Sequence, residues 1–316
     1  MIAPSAHSTG RRSILAALLG QGVKPSLTPE MHEREAERQG IRYVYKLVDL
    51  GDVGVAGDHL RRLLESAVEL GFDGLNVTHP VKQAMVSLVD RVTDDVAAIG
   101  ALNTVLISHG ETVGHNTDVT GFGRAFAEGL PGVALDELVL LGAGGAGTAV
   151  AHALVRLGAR RLYVVDPDVV RARALVASVE AAHPDAAVRI VAGPGLAEAL
   201  AHASGLVNAT PIGMADHPGS PVPPDLLRAD LWVADIVYRP LTTDLLREAG
   251  VRGCRVLSGA GMAVHQAADA FELITGRPAD RGAMTRDFDA MVAPELGGTG
   301  ASPATDEKPS RGRNQR

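Results

Sequence analysis

The sequence predicts an α/β protein with an N-terminal α/β domain, a Rossmann-type doubly wound domain and a cleft between them. Apolar segments of strand length alternate with amphipathic segments of helix length through most of the chain, which is typical of α/β folds. A glycine-rich hexapeptide directly follows one strand-like segment, as the first turn of a Rossmann unit requires. The 316 residues also suffice for two domains.

In the first half of the chain, one amphipathic segment lies among several apolar runs. We predict a helix over residues 58–71, because its leucines recur on one face and Gly71 can end it. The turn-like composition of SHGET predicts a hairpin between residues 101–107 and 112–118. The other predicted strands of this half are SILAALLG (13–20), IRYVYKLVDL (41–50) and FDGLNV (72–77).

The second half begins with the order strand, glycine loop, helix and strand over residues 135–168. A last helix is predicted over about residues 261–276. Later strands are predicted at RIVAG (189–193), GLVNAT (205–210), WVADIVY (232–238) and CRVLS (254–258). The predicted divisions are a disordered N-terminus (1–12), a first domain (13–118) with C-terminal helices packed back on it (261–292), a second domain (119–260) and a disordered tail (296–316).

Composition argues against several classes of protein. A net charge of −7 and 3% aromatic residues give no basic or stacking surface for nucleic acid. One cysteine, Cys254, cannot form an internal disulfide or a cysteine-rich metal site, and the histidine spacings do not resemble a ligand set. Because the chain has neither an apolar run of membrane length nor a signal-peptide core, we expect a cytoplasmic protein without a membrane partner. The sequence does not determine the oligomeric state, and a homodimer is one alternative.

The hexapeptide GAGGAG supplies Gly142, Gly144 and Gly147 in GxGxxG spacing, with Gly145 and Ala146 between them. It follows the apolar strand LVLL and begins a helix, which is the context that a dinucleotide-binding motif needs. Such glycines allow a tight turn, a close approach to a pyrophosphate and close packing of helix on strand. The alternative is a glycine-rich turn in another kind of α/β domain.

Asp166 ends the next predicted strand, nineteen residues after Gly147. A carboxylate there can accept hydrogen bonds from the hydroxyls of an adenosine ribose and would repel a 2′-phosphate. Asp168 adds a second negative charge, and Arg171 and Arg173 fit solvent-facing helix positions. We therefore predict NAD rather than NADP as the cofactor, although Asp166 could instead cap the following helix.

Lys82, in the stretch GLNVTHPVKQAM, occupies the predicted start of a helix. A cation at a helix start opposes the helix dipole, which would lower the proton affinity of the lysine. The same position would direct the amine toward a bound ligand. The alternative is an ordinary surface lysine. Asp118, taken alone, fits an N-cap of the segment VTGFGRAFAEG equally well.

Seven polar motifs arranged around the glycine loop resemble those of the shikimate dehydrogenase family in both type and order. The likeness covers about residues 13–292. The motifs are SLTPEMH (26–32), NVTHPVK (76–82), GALNT (100–104), GHNTDVTGF (114–122), VNATPIGM (207–214), DIVYRPLTTDLL (235–246) and GAGMAVHQAADAF (259–271).

The resemblance implies hydride transfer between a nicotinamide and a ring carbinol of a polyhydroxylated ring acid, with Lys82 as acid/base and Asp118 holding it. It implies that Ser26 and Thr28 bind the substrate carboxylate, although Thr28 could also cap a helix that starts at Pro29. The other residues implied to bind substrate are Thr78, Asn103, Tyr238 and Gln266. Those implied on the nicotinamide side are Thr210, Met214 and Gly261.

Two departures from the biosynthetic members resemble the NAD-dependent quinate/shikimate branch. Thr28 stands where those members usually carry a second serine, and Asp-Pro-Asp (166–168) stands where they usually carry an Asn-Arg-Thr-like segment. Quinate and shikimate are therefore the expected substrates. The alternatives are an NADP-dependent biosynthetic shikimate dehydrogenase, a relative acting on an amino-substituted ring acid, and an NAD-binding sensor without activity.

Overall fold

The computed structural model describes residues 13–51 and 57–296 and contains two six-stranded sheets. The predicted disordered segments, 1–12 and 296–316, lie outside the described residues except for Leu296, which ends the last helix. Within the described residues, no helix is both long enough and apolar enough to cross a lipid bilayer.

The first sheet is mixed, with strand order β2-β1-β3-β5-β6-β4. The predicted hairpin is confirmed: β5 and β6 pair antiparallel across His109 and Gly110, which both have positive φ, as tight hairpin turns require. Its strands are β1 (Ile14–Gly20), β2 (Tyr43–Asp49), β3 (Gly74–Val77), β4 (Arg91–Val92), β5 (Thr104–Ser108) and β6 (Glu111–His115).

Three helices accompany the first sheet: α1 (Thr28–Arg38), α2 (Gly57–Glu69) and α3 (Asp94–Ile99). The α2 helix has the predicted apolar face, which places Leu60 and Leu64 in the core with Leu75 of β3. As predicted, the helix ends just before Gly71, which adopts a φ of 74° and donates its backbone N–H to Val68.

The second sheet is parallel throughout, with strand order β12-β11-β10-β7-β8-β9. This is the doubly wound order. From β7 the chain adds strands first on one side (β8, β9) and then on the other (β10, β11, β12), and a crevice forms at the carboxyl ends of β7 and β10, where the two series meet. Its strands are β7 (Glu137–Leu141), β8 (Arg161–Val165), β9 (Ala187–Ile190), β10 (Gly205–Asn208), β11 (Trp232–Asp235) and β12 (Arg255–Leu257). The accompanying helices are α4 (Asp118–Gly129), α5 (Gly145–Arg156), α6 (Val169–Ala182), α7 (Leu196–His202) and α8 (Asp244–Val251).

Two C-terminal helices, α9 (Ala260–Thr275) and α10 (Arg281–Leu296), complete the described chain. They share a buried apolar cluster with Met31 of α1, to which α10 contributes Phe288. Asp287 also pairs with Arg34 and Arg38 of α1. The chain thus returns from the second sheet to the elements of the first.

Two local predictions are wrong. No α-helix begins at Lys82, because the chain forms only a short 3-10 helix over Ala84–Ser87, and the helix-dipole argument for the lysine fails. The strand predicted at 189–193 lies two residues earlier, over Ala187–Ile190, where it pairs with β8.

Candidate functional site

Lys82 and Asp118 form a close, largely buried ion pair. The Lys82 Nζ lies 2.6 Å from Oδ2 of Asp118, and the two side chains are 18% and 5% exposed. Lys82 follows β3 through the turn at His79 and Pro80, whereas Asp118 is the first residue of α4. Because little water reaches the pair, the amine and the carboxylate interact more strongly than they would on the surface.

Asp118 is free to face the lysine because another side chain caps α4. Asn116 Oδ1 accepts the backbone N–H groups of Asp118 (3.0 Å) and Val119 (3.4 Å). Asn116 Nδ2 donates to the carbonyl of Ala101 at 2.9 Å. The alternative of Asp118 as an N-cap is therefore wrong. Asn116 was missed, although it lies in the quoted motif GHNTDVTGF.

The buried amide of Asn103 connects Asp118 to the C-terminal helix α9. Its Nδ2 lies 2.9 Å from Thr117 Oγ1, 3.0 Å from Asp118 Oδ1 and 3.1 Å from Gln266 Oε1. Its Oδ1 accepts the backbone N–H of Thr117 at 2.8 Å. The structure thus brings together three of the predicted residues, Asn103, Asp118 and Gln266, and gives Asn103 the additional task of orienting the carboxylate.

A chain of polar side chains that the sequence did not predict ends in a hydrogen bond to Asn103. The Tyr45 hydroxyl donates to Asn76 Oδ1 at 2.7 Å, and Asn76 Nδ2 donates to Thr104 Oγ1 at 3.0 Å. The Thr104 hydroxyl donates to Asn103 Oδ1 at 3.1 Å. Asn76 and Thr104 both lie within quoted motifs, but only the pairing of β3 with β5 places them side by side.

The segment around Ser26 meets the stretch that contains Tyr238. Tyr238 is hydrogen-bonded to Ser26, and burial raises the pKa of its phenol, which stays protonated. The neighbouring Arg239 donates to the carbonyl of Pro25. Thr28 is the first residue of α1, and its backbone N–H donates to Ser26 Oγ at 3.3 Å. The alternative of Thr28 as an N-cap is wrong, since Leu27 holds that position without a side-chain cap.

Thr78 lies just after β3, close to the turn that carries Lys82. Its backbone N–H donates to Leu19 at 2.9 Å, and its carbonyl accepts from Val81 at 3.0 Å. The methyl group of Thr78 faces Gly20, where a Cβ would come within 2.3 Å of it. These contacts fix the backbone of Thr78 between the β1 terminus and the Lys82 turn.

The glycine loop has the geometry of an anion-binding helix start. Gly142 adopts a φ of 95°, and a Cβ at Gly147 would come within 2.1 Å of the Gly142 carbonyl oxygen. A Cβ at Gly144 would meet no heavy atom within 4 Å. The loop is therefore closed on its protein side and open in front of α5, where backbone amides and the helix dipole favour a pyrophosphate.

Asp166 is anchored at the same loop. Its Oδ2 accepts the backbone N–H of Ala143 at 2.7 Å, and its Oδ1 accepts that of Asp168 at 2.8 Å. The helix cap is supplied by Asp168, which accepts from Val170 and Arg171, so the alternative of Asp166 as the cap of α6 is wrong. Arg171 and Arg173 are exposed, as predicted, and Arg171 pairs with Asp168 at 3.2 Å.

The residues expected on the nicotinamide side lie in two parts of the chain, the segment after β10 and the helix α9. The Thr210 hydroxyl donates to Asn208 Oδ1 at 2.6 Å, and Met214 is 41% exposed. Gly261 lies on α9, where a Cβ would come within 3.0 Å of the Ala125 Cβ on α4. Gly261 thus permits the close packing of α9 on α4.

The two halves of the site meet at Lys82. A Cβ on Gly145, the first residue of α5, would lie 3.9 Å from Lys82 Cδ. A primary amine held by a carboxylate therefore lies beside the helix start that suits a pyrophosphate. This arrangement can move a proton next to a bound dinucleotide.

Two parts of the chain match models of one known protein family. The model for the shikimate dehydrogenase substrate binding domain matches residues 18–105, and the model for the shikimate 5′-dehydrogenase C-terminal domain matches residues 259–286. A shikimate dehydrogenase (NADP(+)) of Streptomyces avermitilis is 50% identical over 289 residues, which cover 92% of this chain and 98% of that protein. The chain belongs to the shikimate dehydrogenase family.

Relatives within the family carry two different names. A quinate/shikimate dehydrogenase (NAD(+)) of Corynebacterium glutamicum is 48% identical over 277 residues, which cover 87% of this chain and 98% of that protein. The solved structure of quinate dehydrogenase from Corynebacterium glutamicum in complex with NAD has a TM-score of 0.82 and 47% identity, and covers 88% of this chain and 99% of its own. Overall identity therefore does not separate the NAD-named from the NADP-named members.

Proposed function

We propose that this member of the shikimate dehydrogenase family oxidises a ring carbinol of quinate or shikimate reversibly, with NAD as the hydride acceptor. The observation that carries the proposal is the Lys82–Asp118 pair beside the first turn of α5. The names of relatives at 48% to 50% identity over most of the chain support the same reaction class. The products would be the corresponding ring ketones.

A hydroxyl that loses a hydride must also lose its proton. The Lys82 amine, in its unprotonated form, would take that proton and become the ammonium that pairs with Asp118. Asp118 holds the Lys82 amine at 2.6 Å, and Asn103 holds Asp118 at 3.0 Å, so the acceptor is positioned before substrate binds. When bound, the nicotinamide supplies the hydride acceptor. In the reverse direction Lys82 would return the proton to the forming alkoxide.

The substrate carboxylate would lie between Ser26, Thr28 and Tyr238. The protonated Tyr238 hydroxyl and the two other hydroxyls can all donate to an anion. Gln266 and Thr78 would contact ring hydroxyls near Lys82, with Asn103 beside them. Quinate bears an extra hydroxyl on the ring carbon that carries the carboxylate, so Thr28 is the residue to test for discrimination.

The choice of NAD over NADP rests on the segment Asp166 to Asp168. The Asp166 carboxylate is held by two backbone amides and keeps acceptor capacity for ribose hydroxyls. A 2′-phosphate would meet the charges of Asp166 and Asp168, and Arg171 is already paired with Asp168. Gly142, Gly144, Gly145, Ala146 and Gly147 would form the pyrophosphate loop, with Thr210, Met214 and Gly261 on the nicotinamide side.

We also propose that the two ligands are bound by different domains. Residues 13–118 with the returning helices 261–292 would bind the hydroxy acid, and residues 119–260 would bind the dinucleotide. The buried cluster shared by α1, α9 and α10 supports assigning the C-terminal helices to the first unit. Closure of the two units would exclude water from the Lys82 amine.

The test is a set of initial oxidation rates for quinate and shikimate, each with NAD and with NADP, at mildly alkaline pH. Activity on either acid with NAD supports the proposal. Activity on shikimate with NADP alone would select the biosynthetic enzyme. Binding of NAD without turnover of quinate, shikimate or an amino-substituted ring acid would select the sensor.

The same assays with Thr28→Ser test the source of substrate choice. The variant should shift the ratio of kcat/KM for quinate and shikimate toward shikimate, because it restores the serine pair typical of biosynthetic members. An unchanged ratio would remove Thr28 from the proposed explanation.

A further inference from the structure

Asp235 is a buried carboxylate that the proposed chemistry leaves without a task. It is the last residue of β11 and lies beside Asn208, the last residue of β10, at the carboxyl edge of the parallel sheet. Asp235 is only 2% exposed, and the groups that bond its carboxylate within the described residues are uncharged: Asn208, the Val237 N–H and Thr243. Burial raises the pKa of its carboxyl to about 6, so the group is charged at neutral pH at a cost in stability.

Three hydrogen-bond donors surround the Asp235 carboxylate. Oδ1 accepts from Asn208 Nδ2 at 3.0 Å and from the backbone N–H of Val237 at 3.0 Å. Oδ2 accepts from the Thr243 hydroxyl at 2.7 Å. These donors come from three separate segments of the chain, which a single apolar side chain could not hold together.

Two of the donors lead to the segment 209–214, which we call the cofactor-side loop. Asn208 Nδ2 also donates to the carbonyl of Ile212 at 2.9 Å, and Asn208 Oδ1 accepts the Thr210 hydroxyl at 2.6 Å. The loop lies on Thr243 as well, since a Cβ at Gly213 would come within 3.1 Å of the Thr243 methyl group. Asp235 thus fixes the side chains on which this loop rests.

The third donor leads to the substrate side. The Val237 N–H is held directly by Asp235, and the next residue, Tyr238, is hydrogen-bonded to Ser26. Arg239 then donates to the carbonyl of Pro25. One carboxylate therefore holds both the cofactor-side loop and the backbone that presents Tyr238 to the Ser26 segment.

We propose that Asp235 is a positioning residue that couples the cofactor-side loop to the carboxylate-binding side of the substrate site. This inference rests on the function proposed above for what those two segments bind. It does not place Asp235 in contact with either ligand. Its effect is exerted through Asn208 and Thr243 on one side and through Val237 on the other.

The test compares Asp235→Ala with Asp235→Asn in the full chain. Asp235→Ala should raise KM for both NAD and the hydroxy acid by about tenfold or more, with a smaller change in kcat. Asp235→Asn should restore most of the loss, because its Oδ1 can still accept from Asn208 and Val237 while its amide donates to Thr243. Asn208→Ala should raise KM mainly for NAD, and Tyr238→Phe mainly for the hydroxy acid.

A readout without ligand separates this inference from the proposed function. In Asp235→Ala, backbone amides of residues 209–217 and 236–241 should exchange hydrogen faster in both segments. Asp73→Ala is the matched control: Asp73 is a 7% exposed aspartate that accepts from the Leu15 N–H at 2.9 Å, far along the chain from this loop. It should lower thermal stability without changing either KM or these exchange rates.

Several results would overturn the inference. A rise in only one KM, or faster exchange in only one segment, would show that Asp235 does not couple them. If Asp235→Ala does not fold, Asp235→Ser leaves a single hydroxyl that cannot bond all three donors and should give the same double effect at smaller size. If wild-type protein oxidises no ring acid, the proposed function fails, and the exchange rates alone decide whether Asp235 holds both segments.

Discussion

At the scale of single residues, the site is a chain of polar groups in which each fixes the next. Asn116 satisfies the start of α4, which leaves Asp118 free, and Asp118 holds Lys82 at 2.6 Å. Asn103 holds Asp118 from the other side. A side chain fixed on several sides has few alternative rotamers, so the Lys82 amine is positioned before any ligand arrives.

Two substitutions of Lys82 distinguish its proposed role in proton transfer from the effect of its positive charge. Lys82→Ala should lower kcat by about 10²-fold to 10⁴-fold, because it removes the proposed general base, while binding of the hydroxy acid weakens only modestly. Lys82→Arg is the control, since arginine keeps the positive charge beside Asp118 but does not deprotonate. Rates and dissociation constants of both variants should be measured; near-normal turnover in Lys82→Ala would contradict the mechanism.

The proposed preference for NAD over NADP can also be tested at single residues. Asp166→Asn keeps an acceptor for the Ala143 N–H but removes the charge that would repel a 2′-phosphate. The ratio of kcat/KM for NADP to that for NAD should rise by about tenfold, as expected for a loss of about 1.4 kcal/mol of repulsion. Asp168→Asn, which still caps α6, should change the ratio less, because the Asp168 side chain is 44% exposed and paired with Arg171. An unchanged ratio in Asp166→Asn would refute the assignment.

At the scale of elements, the contact between α4 and α9 places Gln266 beside Asn103. The helices approach closely because Gly121 on α4 faces Gln266, and Gly261 on α9 faces Ala125. The Thr117 hydroxyl donates to the Gln266 carbonyl at 3.1 Å, which fixes the position of α4 along the axis of α9. A glycine in a helix interior costs stability, so its use here depends on close packing.

Gly121→Ala tests this contact. A Cβ at Gly121 would lie 2.9 Å from the Gln266 Cβ, so the helices must separate. We expect a loss of about 1–3 kcal/mol in the free energy of unfolding and a raised KM for the hydroxy acid. Gly123→Ala on the same helix is the control, since its Cβ would meet nothing within 4 Å and should stabilise α4. Equal effects of the two variants on KM would contradict the role given to the contact.

At the scale of the whole molecule, a chain of hydrogen bonds joins α5 and α6 to α3 of the other half. Ser178 Oγ donates to the Ala98 carbonyl at 2.6 Å, so its oxygen must accept from His152 Nε2 at 2.8 Å. His152 therefore carries a proton on Nε2, and in the neutral ring its Nδ1 accepts from His183 Nε2 at 3.2 Å. Burial favours this neutral form of His152.

Because burial disfavours a charged His152, the stability of the protein depends on pH. Burial, with the neighbouring His183 and Arg156, lowers the pKa of His152 to about 4, whereas an unfolded histidine titrates near 6.5. The unfolded chain then binds the extra proton first as pH falls. The stabilisation is complete above pH 6.5 and is lost progressively down to pH 4, by an amount of about 3 kcal/mol.

His152→Gln removes this titration. The difference in unfolding free energy between wild type and the variant should shrink as pH falls from 7 to 4, which denaturant titrations at several pH values would measure. His202→Gln, at an exposed histidine, should show no such trend. A constant difference for His152→Gln would show that the histidine chain does not contribute as described.

The sequence by itself determined the features that depend on neighbouring residues. Alternating apolar segments predicted the strands, Gly71 predicted a helix end, and SHGET predicted the hairpin, because each signal arises from local backbone preference. The glycine loop and Asp166 were recognisable for the same reason, since strand, turn and helix follow each other directly. The local argument for Lys82 failed, because a four-residue 3-10 helix supplies no useful dipole.

Only the tertiary structure decided which side chains meet. Lys82 and Asp118 are 36 residues apart, and Asn103 and Gln266 are 163 residues apart. Their contacts depend on strand order and on how closely α9 packs against α4, which no local pattern encodes. Asn116 was overlooked although its signal is local, since it accepts from the N–H groups of Asp118 and Val119 just after it. Asn76 and Asp235 were missed because each is an ordinary polar residue in the sequence. Tyr45 and Thr104, which bond Asn76, and Asn208, which bonds Asp235, are brought near only by folding, and burial then makes those bonds obligatory.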